Sequence, residues 1–362
     1  MKPQFYGAFF LSSFMKVDFL IVGQGIAGTC FAFELLRQKK TFIIIDKYDK
    51  SSPSNIALGV YNPLILKWFT KPWAIDNQMQ FFYEFYSSFQ SFFKSNIVFD
   101  IGIYKFLSTP YDQNNWMSRS LSPKREHYMS SELLMLENKS FIHKQFYGLV
   151  KSSGRVDIPL FLKILRKFCI ANQIFINKFF NYRNLIIKKD YVKYNDIIAR
   201  NIIFCEGPQV LNNPFFKWIK LKPTKGELLH INCEHLSLDR ILHASLLFVP
   251  LGSDIYSLGA TYEWSFDDSG ITSSARERIC SVFEKHINLP YNVKTQKSGI
   301  RPSTFDRRAF IGSHPDYSNM YIMNGLGTRG VLLAPYLSNN LINSIYYNTK
   351  IFEEVALKRV YE

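Results

Sequence analysis

A chain of 362 residues with 47% hydrophobic and 20% charged side chains, including 33 Phe and 21 Tyr, is not a disordered polypeptide; it has apolar surface for one large core or two closely packed domains. Five cysteines (Cys30, Cys169, Cys205, Cys233, Cys280), an odd number without C-x-x-C spacing, argue against a disulfide framework or a zinc ribbon and point to a reducing, cytoplasmic setting. Much of the net charge of +15 lies between Asn138 and Gly226, where seventeen Lys and Arg stand against four Asp and Glu; such a segment could draw nucleic acid, a membrane surface or an anionic small molecule, or be dispersed over solvated faces.

In chain order, Phe5 to Phe14 is apolar behind Lys2, like a signal-peptide core, but it lacks a small-x-small cleavage site and is too short to span a bilayer. Residues 1–15 are expected to be a leader, disordered and outside a core whose first strand starts near Val17. No later segment reaches about 18 apolar residues free of charge, so no integral membrane association is expected.

From Val17 the pattern becomes specific. Phe19 to Val22 is a continuous apolar run of the kind a doubly buried parallel strand requires. Gly23-Gln24-Gly25-Ile26-Ala27-Gly28 follows at once and opens a helix through Leu36. In such a turn the first glycine permits the tight bend, the second lets backbone approach a pyrophosphate and the third lets helix pack on strand, with the phosphates at the helix N-terminus. A second apolar strand, Phe42 to Ile45, ends in Asp46 with Lys47 beside it, and an acid there accepts hydrogen bonds from a ribose hydroxyl. The set predicts dinucleotide binding, with Gly23, Gly25, Ile26, Ala27, Gly28, Asp46 and Lys47 as cofactor-binding residues.

Further along, Phe81 to Phe93 carries eight Phe and Tyr on a stretch without Gly or Pro and reads as one helix with a broad buried face. Arg155-Val156-Asp157 leads into a helix through Phe168, and Ile202 to Cys205 forms another buried strand ending at Glu206-Gly207. Near the end, Gly299-Ile300-Arg301-Pro302 and Asp306-Arg307 precede a strand at Met320 to Met323, and Asn324-Gly325-Leu326-Gly327-Thr328-Arg329-Gly330 opens a final helix from Val331 to Tyr346. Seven His without i, i+4 pairs predict no metal site, and no nucleophile motif is present.

These motifs, with Ala57-Leu58-Gly59-Val60-Tyr61-Asn62-Pro63, Lys225 to Leu229 and Gly259 to Trp264, resemble the FAD-dependent oxidoreductases of the D-amino-acid oxidase and glycine oxidase superfamily, in a poorly characterised bacterial branch, over Val17 to Ile345. The resemblance implies non-covalent FAD and an α/β fold in which a discontinuous Rossmann-like FAD-binding domain (residues 16–75, 150–212 and 299–362) joins an α+β substrate domain on an antiparallel sheet (76–149 and 213–298). Leu326 departs from the better-known oxidases, many of which have His there. Gly59 is expected to let backbone lie against the flavin ring, and Gly325, Gly327, Thr328, Arg329 and Gly330 to aim a helix N-terminus at the flavin, with Gly207 also at the cofactor.

By the same resemblance, Arg301 is expected to clamp a substrate carboxylate, for which a planar guanidinium is suited; a structural ion pair with Asp306 is the competing reading. Arg329 is a second candidate, Tyr262 and Tyr61 are candidate pocket walls or hydroxyl donors, and Lys225 and Glu263 are expected to pair structurally. The implied activity is oxidation of a C–N bond in a small amine or amino acid by hydride transfer to flavin N5, with oxygen or an unknown partner as electron acceptor. The alternatives are a flavin oxidase acting on a modified tRNA wobble uridine, for which the basic segment would be the footprint, and a flavoprotein with no amine substrate.

Overall fold

The structure is a computed structural model that describes residues 14–136, 140–142 and 145–361. The leader expected over residues 1–15 lies outside these except at its end, and there the expectation is corrected. Met15 and Lys16 already belong to the first strand, Met15–Val22, pairing with Ile197 and Ile198.

That strand is central in the first sheet. It runs parallel to Phe42–Ile45 on one side and Ile197–Phe204 on the other; Phe175–Ile176 and Met320–Asn324 extend the parallel set, and the hairpin Leu185–Ile187 and Val192–Tyr194 adds an antiparallel edge. Phe19, Leu20, Ile21, Ile43, Ile44, Ile202 and Ile203 are buried because the sheet is covered on both faces, which is why the strands read as unbroken apolar runs. The helices Ile26–Arg37 and Gly330–Tyr347 pack together over one face.

The second sheet has eight strands, antiparallel except where Ile103–Leu107 runs parallel to Ile241–His243. Its longest pairing joins Thr224–Asn232 to Asn292–Arg301, so the domain boundary expected between residues 298 and 299 falls inside a strand. Strand alternation divides this sheet into two faces. Leu229, Ile231, Phe248 and Leu258 pack on Ile279 and Phe283 of the helix Ser273–Glu284. The opposite face carries Gly226, Gly259, Gly299 and Arg301, with Gly299 against Pro53 and Ile56 of the short helix Pro53–Ile56.

A small third sheet, in the order Val60–Tyr61, Gly154–Val156, Val98–Phe99, runs against the long helix Ile75–Phe93. The expected aromatic helix face is present. Phe82, Phe85, Tyr86 and Phe89 are buried, with Phe89 4.6 Å from Phe161 and 4.9 Å from Phe33, edge on.

Candidate functional site

The glycine fingerprint is shaped by close contacts. Gly23 has φ +97°, and a Cβ there would lie 2.6 Å from the Cys205 carbonyl oxygen; one on Gly28 would lie 2.0 Å from the Gly23 oxygen. Helix Ile26–Arg37 can approach the strand end only because both side chains are absent. Gly25 differs, since a Cβ would meet only the Ser54 hydroxyl at 3.1 Å. The Ile26 N–H, at the positive end of this helix, donates to Ser54 Oγ at 3.0 Å, and Ala27 is buried behind it.

Asp46 closes the second strand and accepts from the Gln24 N–H at 3.1 Å, which ties it to the fingerprint loop; Lys47 beyond it is exposed. Burial raises the Asp46 pKa, opposed by the Gln24 N–H and the nearby Arg166 charge. Sequence reasoning missed Arg166. It lies on the helix Ile158–Ala171, donates through Nε to Gln24 Oε1 at 2.6 Å and rests over the Tyr48 ring at 4.2 Å. Gln24 in turn donates to the Leu162 carbonyl at 3.1 Å.

Of the other expected cofactor glycines, Gly207 and Gly325 to Gly330 follow the C-terminal ends of the strands Ile197–Phe204 and Met320–Asn324, and Gly59 lies against the small third sheet. Gly59 has φ +69°, with the Val156 oxygen 1.9 Å from where its Cβ would be, whereas Gly207 faces open space. Asn324 joins two segments, its side chain donating to the Gly207 carbonyl at 2.9 Å and accepting from the Gly325 N–H at 2.7 Å. Gly325 and Gly327 both have positive φ, Thr328 is exposed, and Arg329 caps the final helix. Gly330 contacts Ile26, which brings the N-termini of the first and last helices together. Glu206, before Gly207, has its carboxyl pushed up to about 7 by burial, although Tyr182 and Asn213 donate to it.

Arg301 lies flat over Gly226, where a Cβ would come within 2.1 Å of Nη2. Its Nη1 donates to the carbonyls of Thr261 at 3.3 Å and Lys225 at 3.5 Å, and the guanidinium sits 5.5 Å from the Tyr262 ring centroid. The competing pairing with Asp306 is absent; Asp306 instead accepts from the Arg308 N–H and pairs with Arg359 at 3.1 Å. Tyr262 is exposed and packs edge on against Trp264. Arg329 donates to the Asn62 carbonyl at 2.7 Å, and burial pushes its pKa down to about 10. Among the described residues neither Arg301 nor Arg329 has an acid within ion-pair distance.

Two expectations are corrected. Tyr61 is no pocket wall; it is 1% exposed, with its ring 4.3 Å from that of Phe82 and its hydroxyl on Asp100. Lys225 and Glu263 pair through backbone alone, each N–H 3.0 Å from the other's carbonyl, while the buried Lys225 ammonium lies 3.5 Å from the buried Glu227 carboxylate. Glu227 is completed by the Thr272 N–H and hydroxyl and by Gln296. The basic segment also changes character, because Lys225 and Arg155 are buried and Arg166 is engaged at the fingerprint loop.

A family model described as FAD dependent oxidoreductase matches residues 18–341. The glycine oxidase of Bacillus subtilis (strain 168) is 29% identical over 168 residues, 44% of this chain, so the match spans 44% of that relative's length. Among solved structures, the iminodiacetate oxidase from Chelativorans sp. BNC1 gives a TM-score of 0.75 at 17% identity, covering 94% of this chain and 98% of that one. The glycine oxidase from Bacillus cereus ATCC 14579 gives 0.75 at 16% identity, covering 92% and 96%. L-proline dehydrogenase from P. horikoshii gives 0.75 at 14%, covering 93% and 95%. At these identities the likeness is one of fold, in agreement with a Rossmann-like FAD domain joined to a substrate domain. No helix of the described residues is long and apolar enough to cross a membrane.

Proposed function

The chain belongs to the FAD dependent oxidoreductase family, and on that premise we propose that it oxidises the C–N bond of a small amine or amino acid whose carboxylate is held by Arg301. Gly25 and Ile26 take the pyrophosphate, Asp46 the adenosine ribose, and Gly59, Gly207 and the loop Gly325–Gly330 border the flavin. A Gly25 position obstructed only by one serine hydroxyl, and a Gly207 position open to space, support that fit. Bound FAD supplies the acceptor for the hydrogen and electron pair removed as the C–N bond becomes an imine, which water then hydrolyses.

The observation that carries this reading is the state of Arg301. Its guanidinium is oriented by two backbone carbonyls and by the surface of Gly226, and no carboxylate of the described residues neutralises it. A planar cation fixed in this way offers its remaining N–H groups to a carboxylate through two parallel hydrogen bonds. Orientation of this kind is what a reaction without an acid–base pair needs most. The final helix begins at Arg329–Gly330, and its positive end would favour negative charge on a flavin bound there.

The test is to release the cofactor with acid, identify it by chromatography, and add a panel of amino acids and N-substituted glycines to the holoprotein without oxygen. FAD should be recovered, at least one compound should bleach the flavin, and its carbonyl product should form. Retained flavin that no member bleaches would overturn the reading.

A further inference from the structure

Arg155 is a buried cation for which neither the fold nor the site described above has a use. It is 8% exposed, and its Nε has no hydrogen-bond partner among the described residues. Its guanidinium lies 4.2 Å from the Phe99 ring centroid, and the nearby Asp157 carboxylate caps the following helix by accepting from the Leu160 N–H at 3.0 Å. A buried charge with no acid within ion-pair distance is costly, and an aromatic face and the more distant Asp157 carboxylate repay only part of that cost. Such a group implies an anion.

Its direction follows from strand register. Arg155 stands opposite Val60 on one neighbour and Phe99 on the other, so these three side chains share a face of the small sheet. Tyr61, Gly154 and Val156 occupy the opposite face, and Tyr61 is packed on the long aromatic helix. Arg155 therefore lies on the side of Val60, the residue after Gly59 in the segment assigned to the flavin. Two residues on, the Asn62 carbonyl holds Arg329. The strand face bearing Arg301 is packed, through Gly299, on the helix Pro53–Ile56 that leads into the same segment. Two guanidiniums thus border residues 60–62, the strand face bearing the third packs on the helix that precedes them, and none of the three has an acid within ion-pair distance among the described residues.

We propose that Arg155 receives the second acid group of a dicarboxylic amine substrate, the first being taken by Arg301. The assignment rests on the reading of Arg301 as a carboxylate clamp. A single carboxylate on Arg301 leaves Arg155 without an anion, and a dianionic substrate fits the local charge better than a simple amino acid does. Arg155 is in this view a specificity-determining residue, with no part in the bond-breaking step.

Unreactive acids separate binding from turnover. The FAD-loaded protein is titrated with dicarboxylates from succinate to adipate and with monocarboxylates of equal chain length, from butyrate to hexanoate, following the flavin spectrum and the heat of binding. The best diacid should bind about 10-fold or more tighter than its matched monoacid, as expected for an added charged hydrogen bond. In Arg155→Gln that ratio should fall to within about 2-fold, with monoacid affinity, FAD content and melting temperature retained, because an unpaired buried charge has been removed. Arg155→Lys should keep part of the preference.

Monoacids that bind as well as diacids, or a diacid preference unchanged in both variants, would overturn the assignment while leaving Arg301 as the clamp. Failure of both classes to bind would overturn the Arg301 reading with it. A large fall in melting temperature in Arg155→Gln would mark Arg155 as a structural cation and also overturn the proposal.

Discussion

Replacing Arg301 by Lys tests the clamp through its geometry. Two long contacts, 3.3 Å to the Thr261 carbonyl and 3.5 Å to the Lys225 carbonyl, engage Nη1 of the guanidinium and set its plane over Gly226. A lysine ammonium keeps the charge and loses the fork, so one of two parallel charged hydrogen bonds to the substrate is lost. That loss is worth about 1.5–3 kcal/mol, or roughly 10- to 150-fold in the apparent affinity that governs flavin reduction. An amine with no carboxylate should change by no more than about 3-fold, because its binding never used the fork. Stability and FAD content should hold, since Arg301 forms no ion pair with the described residues. Asp306→Asn serves as the control: it breaks the contact with Arg359 at 3.1 Å, a surface pair worth about 1 kcal/mol or less, and should leave substrate reduction unchanged. The assay is anaerobic stopped-flow reduction with matched carboxylated and uncarboxylated amines. Equal losses on both, with a lower melting temperature, would refute the clamp.

The two fingerprint glycines should respond differently. Gly28→Ala sets a methyl 2.0 Å from the Gly23 oxygen and should lower both thermal stability and FAD retention, whereas Gly25→Ala meets only a serine hydroxyl and should fold normally while losing FAD, as flavin content and melting curves will show. Lys225→Met leaves the buried Glu227 carboxylate without its cation and should cost about 3–5 kcal/mol in denaturant unfolding; Lys225→Met with Glu227→Leu should recover most of it. Glu206 has a folded-state pKa of about 7, above its unfolded value, so the folded state holds the extra proton and stability falls as pH rises from the unfolded pKa through about 7. In Glu206→Gln the decline in melting temperature between about pH 5 and 8 should flatten, and an unchanged slope would remove Glu206 as its source.

What could be read before the structure was local in sequence. The fingerprint turn and the acid at the end of the second strand lie within short windows, where apolar runs and glycine placement report directly on backbone geometry. Arg301 was legible only by resemblance, since nothing near it in sequence shows that Gly226, seventy-five residues earlier, provides the surface on which it rests. Arg166 and Arg155 were lost in a basic segment because their meaning depends on long-range placement: one reaches Gln24 across 142 residues, the other faces Val60 only through cross-strand pairing. Tyr61 was misread for a simpler reason. In the pair Val60–Tyr61 successive side chains point to opposite faces, so only Val60 shares a face with Arg155 and Phe99, and the aromatic helix takes the tyrosine. The Lys225–Glu227 pair follows the same alternation, two residues apart on one face of a strand, and could have been found once that stretch was taken as a strand.

The central claim is oxidation of an amine whose carboxylate is recognised by the protein, and anaerobic titration of the purified flavoprotein with one matched pair of compounds tests it most directly. The pair is an amino acid or N-substituted glycine that bleaches the flavin and the same amine without its carboxylate. The account predicts stoichiometric bleaching by the first and a reduction at least about 10-fold slower with the second. Equal rates for the two, or a fully loaded flavin that neither reduces, would contradict it.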